Sequence, residues 1–443
     1  MLSFKGIHVS ERYAVRRPTG PIDFTLRPPG SKSITNRALV CAALASGVSR
    51  LSGVLCSEDT RVMIDALGVL GVEIKGQLES GEIQISGTGG RFTSGDHHLE
   101  VANSGTTMRF LSSVACLGEG CITIDGITRM RERPILPLVE ALRRFGVDIQ
   151  CGENGCPPVV IKAGGLPGGS ISVDGSLSSQ FVSGLLLAAP LARDNLHVQI
   201  TGQSVSRPYL NITTEVMKAF GIPVTGNCRE GYRISAPQEY TPCDYSVEPD
   251  ATAASYLLAI PAIAGGKVTV TGLGLGSIQG DIRFVDCLSQ MGCEVDIRQS
   301  QITVSGRARK SIDVDMNDIS DTAQTLAVIA LFVEGQTTIR NIGHNRLKET
   351  DRIGHLATEL RRLGGNVEET DDGLVISAGR LCSATVNTYD DHRMAMSLAL
   401  AGLKIEGVVI SDPGCIRKTY PDYFRDLEAV TGGPRDPSAG GDS

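Results

Sequence analysis

Two kinds of apolar segment alternate along the chain. In the first, hydrophobic side chains recur at helical spacing and stop at a glycine. Met63, Ile64, Leu67 and Leu70 lead to Gly71, and Ile135, Leu138, Val139, Leu142 and Phe145 to Gly146. Phe284, Val285, Leu288 and Met291 lead to Gly292, and Ile353, Leu356, Ala357, Leu360 and Leu363 to Gly364. This spacing predicts amphipathic helices with one buried stripe. With Gly221, the glycines are separated by 75, 75, 71 and 72 residues. Each suits a left-handed helix end and precedes a short apolar strand. A looser sixth copy ends near Gly432.

The second kind has a polar entry followed by an almost wholly apolar run. Its six copies are PGSKSITNRALVCAALA, NSGTTMRFLSSVACLG, DGSLSSQFVSGLLLAAPLA, EPDATAASYLLAIPAIAG, NDISDTAQTLAVIALFVEG and YDDHRMAMSLALAGL. A helix apolar all round must be interior, and entries rich in Ser, Thr, Asp and Asn are natural caps. The simplest reading is an α/β protein with a βαβαββ-like unit repeated six times, three units in each of two similar lobes. The unit exceeds the usual 20–50-residue solenoid period, and 443 residues suit two or three compact domains.

Composition narrows the function. A hydrophobic share of 41% excludes a disordered or collagenous chain. The net charge is −7, Trp is absent and aromatics are only 10 Phe and 9 Tyr, so nucleic acid is not an expected partner. The 12 cysteines are dilute and lack C-x-x-C spacing, and the 7 histidines form no H-x-x-x-H pattern, so no metal is expected. The N-terminus MLSFKGIHVSERYAVRRPTG has no apolar core of a signal peptide, and no run reaches the roughly 18 apolar residues of a membrane span. A cytoplasmic protein is the expectation. The Gly/Pro/Ser-rich end, residues 433–443, reads as a disordered tail.

Cations stand where helix entries need only caps: Lys32, Arg37, Arg109, and His392 with Arg393. Turns before the amphipathic helices add Arg129, Arg131 and Arg133, then Lys348 and Arg352, then Lys418. A cation opposes the positive end of a helix dipole unless an anion lies between them. One helix end contributes about 0.3–1 kcal/mol, and charge-assisted hydrogen bonds about 1.5–3 kcal/mol each. Several must converge to hold a metabolite, and a cleft between lobes is where they would meet. Taken singly, Lys32, Arg133, Lys348 or Arg393 could equally be surface or capping residues. Ser178-Ser179-Gln180 could be a cap, and Asp321 and Glu349 helix-start acids. Arg143, Arg144, Arg361 and Arg362 read as solvated outer faces. PGSKSITNR lacks the second glycine of a P-loop, and GLGLGSIQG lacks the dinucleotide-binding context, so no nucleotide cofactor is indicated.

The motifs PGSKSITNRAL, NSGTTMR, RMRERP, DGSLSSQF, SRPY, NDISDTAQT, RLKETDRI, DDHRMAM and IRKTYPDYF, in this order, resemble the 5-enolpyruvylshikimate-3-phosphate synthase family almost end to end. The resemblance implies an inside-out α/β barrel in two lobes, each of three βαβαββ units. Crossover strands would fall near residues 28 and 248. Residues 29–247 would form one lobe, and 1–28 plus 248–432 the other. It implies transfer of the enolpyruvyl group of phosphoenolpyruvate to the 5-hydroxyl of shikimate 3-phosphate, by addition–elimination in a closing cleft, without a cofactor. Lys32, Ser33, Arg37, Ser178, Ser179, Gln180, Ser206, Asp321 and Lys348 would meet shikimate 3-phosphate. Lys32, Gly105, Arg133, Gln180, Arg352, Arg393 and Lys418 would meet phosphoenolpyruvate. Asp321 would be the base at the hydroxyl, and Glu349 and Lys32 would serve the proton steps at the methylene. A monomer is implied, as is competition by glyphosate at Gly105, its strength dependent on Ser104 and Phe110.

Two departures stand out. Relatives commonly carry Asn four residues before Lys348, where this chain has His344 followed by Asn345, and Phe110 stands where some have Pro. The nearest rival is a UDP-N-acetylglucosamine enolpyruvyl transferase. That family carries Lys-Asn where this chain has Lys32-Ser33, and a reactive Cys absent between Arg129 and Arg133. A non-catalytic phosphometabolite-binding protein is the other alternative.

Overall fold

The computed structural model describes residues 12–432. The expectation of a disordered tail at 433–443 falls outside them. The six apolar segments form the helices Lys32–Leu44, Gly105–Val114, Ser179–Ala188, Ala251–Ala264, Ala323–Ala330 and His392–Ala399. The striped segments form Glu58–Val69, Leu136–Arg144, Pro208–Ala219, Phe284–Gln290, Gly354–Arg362 and Tyr423–Thr431. Gly71, Gly146, Gly221, Gly292, Gly364 and Gly432 all have φ between +82° and +95°. At the first of these, Gly71 N–H donates to Gly68 and Val72 N–H to Leu67, the paired Schellman closure. The same pair recurs after Leu142, Met217, Leu288 and Leu360. The 72-residue rhythm of the sequence is therefore the rhythm of these helix ends.

Among the described residues, five sheets have four strands and the sixth three. In each four-stranded sheet one edge strand pairs in parallel with its neighbour, and the remaining pairs are antiparallel. His97–Glu100 beside Glu119–Asp125, then Val159–Gly164 and Asp148–Cys151, is one example. One core takes its buried side chains from Ile34 to Val247, the other from Val15, Ile22 and Ala251 to Val430. In each, the three interior helices pack on one another and the sheets lie outside. The first strands among the described residues join the second lobe. Asp23–Leu26 runs parallel to Lys267–Thr271, and Tyr13–Ala14 antiparallel to Val409–Ile410. The two passages between lobes are bonded together: Ser31 N–H donates to Glu248 at 2.9 Å and Asp250 N–H to Pro29 at 2.8 Å. Gly30 sits where a Cβ would strike the Gly53 carbonyl. No described helix is long and apolar enough to cross a membrane.

Candidate active site

The interior helices aim N-termini at one inter-lobe cavity. Ser31, Ser104, Ser178, Asp250 and Asp391 cap five of them through side-chain oxygens. Asp321 lies in the last turn of the 3₁₀ segment Asn317–Thr322 that leads into the sixth. The cavity opens to solvent, and its free space is about 730 Å³ with the open solvent at its mouth included. One lobe supplies Lys32, Arg109, Arg133, Ser178, Ser179, Gln180, Ser206 and Tyr209 to its wall. The other supplies Asp321, His344, Lys348, Glu349, Arg352 and Arg393.

Cations outnumber carboxylates here. Asp321 receives Lys348 Nζ at 2.5 Å, Arg393 Nη2 at 2.7 Å and Arg352 Nη1 at 3.2 Å. Burial alone would raise its carboxyl, but Arg393, Lys348 and Arg352 outweigh burial and hold it well below the usual carboxylate range. Glu349 meets Arg352 at 2.8 Å and Lys418 at 3.4 Å. It is likewise held well down against burial, by Arg352, Lys418 and Arg133. Lys418 also donates to the Asn103 carbonyl at 2.8 Å, which Arg133 Nη1 reaches from its own lobe at 3.0 Å. Arg133 Nε, Arg109 Nε and Arg109 Nη1 are buried without a partner among the described residues. Burial and the neighbouring Arg133 push the Arg109 guanidinium down to about 9. Guanidinium groups held this way are built to receive an anion.

Most residues singled out from the sequence lie on this wall, and the others stand close behind it. Gly105 opens the helix beneath Arg109 and Arg133, and a Cβ there would collide with both guanidinium groups. Lys418 is reached through Glu349. Arg37 and Ser33 are not brought to the cavity wall. The Arg37 guanidinium is one turn deeper, committed to Thr213 Oγ1 at 2.7 Å and the Ser33, Tyr209 and Ser183 oxygens. Phe110 is fully buried, its ring 5.0 Å from the Arg37 guanidinium. Its aromatic face thus supports a buried charge.

The structure adds residues that the sequence reading did not single out. Asp59 receives Lys32 Nζ at 3.2 Å and lies 3.8 Å from Lys418. Asp391, with no exposed surface, takes Arg352 Nε at 2.7 Å. Tyr209 reaches Asp321 at 3.4 Å, and Tyr256 accepts from Arg393 at 3.3 Å. Buried Asp281 is raised to about 7, by burial first and then by Asp321. These partners lie tens to hundreds of residues apart, and only the helix-entry acids had a local signal. His344 lies on the wall, 2.8 Å from Ser320 Oγ and 3.4 Å from Ser206 Oγ. Burial, then Lys348, pushes it down to about 3. Asn345 turns inward to the Ser320 carbonyl. Ser206 has φ +51° and donates its N–H across the seam to Asn317.

The profile of the family described as EPSP synthase (3-phosphoshikimate 1-carboxyvinyltransferase) matches residues 16–427. The chain belongs to this family. A 3-phosphoshikimate 1-carboxyvinyltransferase of Vibrio atlanticus is 45% identical over 420 residues, covering 94% of this chain and 98% of that protein. One from Photobacterium damsela subsp. piscicida is 46% identical over 419 residues, with the same coverage. The solved EPSP synthase of Acinetobacter baumannii superposes with TM-score 0.80 at 25% identity, over 95% of this chain and 98% of that one. The inside-out barrel of two lobes is thus the fold shared with solved EPSP synthases.

Proposed function

We propose that this protein transfers the enolpyruvyl group of phosphoenolpyruvate to the 5-hydroxyl of shikimate 3-phosphate, releasing phosphate. The observation that carries the reading is the cavity in which cations of both lobes converge on helix N-termini, in a chain of the EPSP synthase family. Both substrates are anionic, and such a wall neutralises them as it excludes water. In the addition, the 5-oxygen bonds to C2 of the donor while C3 takes a proton. In the elimination, C3 loses a proton, the double bond re-forms and phosphate departs. Asp321 is assigned the hydroxyl proton, and Glu349 and Lys32 the C3 proton. Lys32, Ser33, Arg37, Ser178, Ser179, Gln180, Ser206, Asp321 and Lys348 are assigned to the acceptor. Lys32, Gly105, Arg133, Gln180, Arg352, Arg393 and Lys418 are assigned to the donor. Arg37 and Ser33 would act by setting the first turn of their helix.

The depressed carboxyls give the ligands a chemical part. With its three cations in place, Asp321 is a poor base, and Glu349 a poor acid. Phosphate and carboxylate groups drawing Lys348, Arg352, Arg393 and Lys418 toward themselves would let both pKa values rise toward the working range. We place the moving unit at residues 29–247 against the rest, in a cytoplasmic monomer. The test is phosphate release from phosphoenolpyruvate with shikimate 3-phosphate or UDP-N-acetylglucosamine as acceptor, with and without chelator. Release with shikimate 3-phosphate alone, indifferent to chelator, is expected. Release with the nucleotide sugar overturns the acceptor assignment. Binding without release overturns the enzyme reading in favour of a binding protein.

A further inference from the structure

Arg129 does not line the cavity, yet it grips two residues that do. Its Nε donates to the Glu349 carbonyl at 3.0 Å and its Nη2 to the Lys348 carbonyl at 2.9 Å. These bonds join positions 220 and 219 residues apart in sequence, one in each lobe. The third nitrogen, Nη1, is steadied by Glu132 at 2.8 Å.

Both ends of the contact are built for it. The turn carrying Arg129 is anchored to its own lobe. Met130 is fully buried, Arg131 pairs with Asp125 at 2.5 Å, and Ile127 N–H donates to Ala102. A Cβ on Gly126 would strike the Ala102 carbonyl, so the turn lies tight against the sheet. On the other side, Lys348 and Glu349 fall between the 3₁₀ turn Gly343–Leu347 and the helix Gly354–Arg362. Lys348 has φ −89° and ψ −146°, which takes the chain out of the helical ladder. Among the described residues, no backbone N–H reaches either carbonyl. The local chain leaves this peptide pair unanchored, and the planar fork of an arginine fixes its orientation as well as its distance. Lys348 holds Asp321, and Glu349 faces Arg352 and Lys418, so a shift of this backbone moves both side chains at once.

We propose that Arg129 is a positioning residue for the enolpyruvyl transfer, holding the Lys348–Glu349 backbone across the cleft so that both side chains are placed only when the lobes are together. It rests on the transfer proposed above. A misplacement of about 1 Å at a reacting group can lower a rate about a hundredfold. Arg129→Ala is therefore expected to lower kcat by about thirtyfold or more, with the phosphoenolpyruvate KM changing less than about threefold and the shikimate 3-phosphate KM rising by a smaller factor than kcat falls, because Lys348 is displaced with Glu349. Arg129→Lys keeps the charge and one bond, and recovers part of the loss. Glu58→Gln serves as the control. It removes the charge from the 3.3 Å cross-lobe ion pair with Arg417 without touching residues 348–349, and kcat should stay within about twofold.

Steady-state kinetics of the three variants, with ligand-free melting curves, decide the matter. An unchanged kcat for Arg129→Ala in an active wild type overturns the clasp. So does an effect confined to KM, or an equal loss in Glu58→Gln, which would mean lobe contact in general. Full recovery by Arg129→Lys would mean charge rather than fork, and overturns it too. If Arg129→Ala does not fold, Arg129→Lys decides: a kcat deficit of about threefold or more supports the clasp, and none overturns it. A wild type with no transfer activity removes the function beneath the proposal and the proposal with it.

Discussion

Replacing Arg352 by Met tests how the cavity holds its charges. The guanidinium is 2% exposed and makes four contacts: two to Asp391 at 2.7 and 3.1 Å, one to Glu349 at 2.8 Å and one to Asp321 at 3.2 Å. Removing one partner of a buried ion pair costs about 3–5 kcal/mol, because the other charge stays behind. Asp391 keeps the Arg393 N–H at 2.8 Å and its helix N-terminus, and Glu349 keeps Lys418. The loss should therefore fall near the lower end, about 3 kcal/mol. The pH dependence has a definite sign. Glu349 and Asp321 have depressed folded values, so the stability they contribute is complete above the unfolded value of about 4. It is lost as pH falls through the folded values. Arg352→Met weakens that depression, so the gap between wild type and variant is full at neutral pH and narrows below about pH 4. Urea titrations across pH measure it. A gap under about 1 kcal/mol at neutral pH, or one that widens in acid, would refute the reasoning. In turnover, the two charge-assisted bonds that the proposed donor-binding role of Arg352 implies correspond to about 10²–10⁴-fold in kcat/KM. Arg352→Lys should recover only a small part, lacking the fork.

Gly105→Ala should raise the phosphoenolpyruvate KM by about tenfold or more and leave the shikimate 3-phosphate KM within about twofold, since the added methyl displaces Arg109 and Arg133. Initial rates check this, and glyphosate competition against phosphoenolpyruvate should weaken in parallel. Asp321→Asn should lower kcat by about 10²–10⁴-fold, the usual contribution of general base catalysis, in single-turnover measurements. A decrease below about tenfold would move the base elsewhere. His344→Asn should leave the pH–rate profile between about pH 5.5 and 8 unchanged, because the imidazole, pushed down to about 3, is neutral throughout.

The regular parts of the molecule were legible because each depends on neighbours in sequence. Leu67, Gly68, Gly71 and Val72 carry their own helix end within six positions, and repetition of that signal revealed the repeats. The interior helices were legible for the same reason, their apolar runs leaving no solvent face. Arg37 shows the limit. As a cation at a helix entry it reads as an anion ligand, and only the fold shows that one turn inward its guanidinium also bonds the buried hydroxyls of Thr213 and Ser183. Asp391 was invisible as the anchor of Arg352 because the pair is closed by the meeting of two loops 39 residues apart. His344 could be read only as a departure, and its neutrality follows from burial that no local pattern encodes. The grip of Arg129 on backbone carbonyls had no sequence signal at all, since carbonyls are common to every residue.

The strands Tyr13–Ala14 and Asp23–Leu26 belong to a lobe whose other parts lie hundreds of residues later, which imposes an order on synthesis. The core running from Ile34 to Val247 contains all its own strands and can close as soon as it has emerged. The N-terminal strands cannot: one needs Lys267–Thr271 and the other Val409–Ile410. At about 5–20 residues per second, the interval from Leu26 to Val409 is about 20–80 s. From the emergence of Val247 onward a folded body stands between the leading segment and the ribosome, its two crossing passages joined once Glu248 and Asp250 arrive, while Tyr13–Ala14 still waits for Val409–Ile410. The cleft is thus the last part of the protein to exist, completed when the end of the chain returns to its beginning.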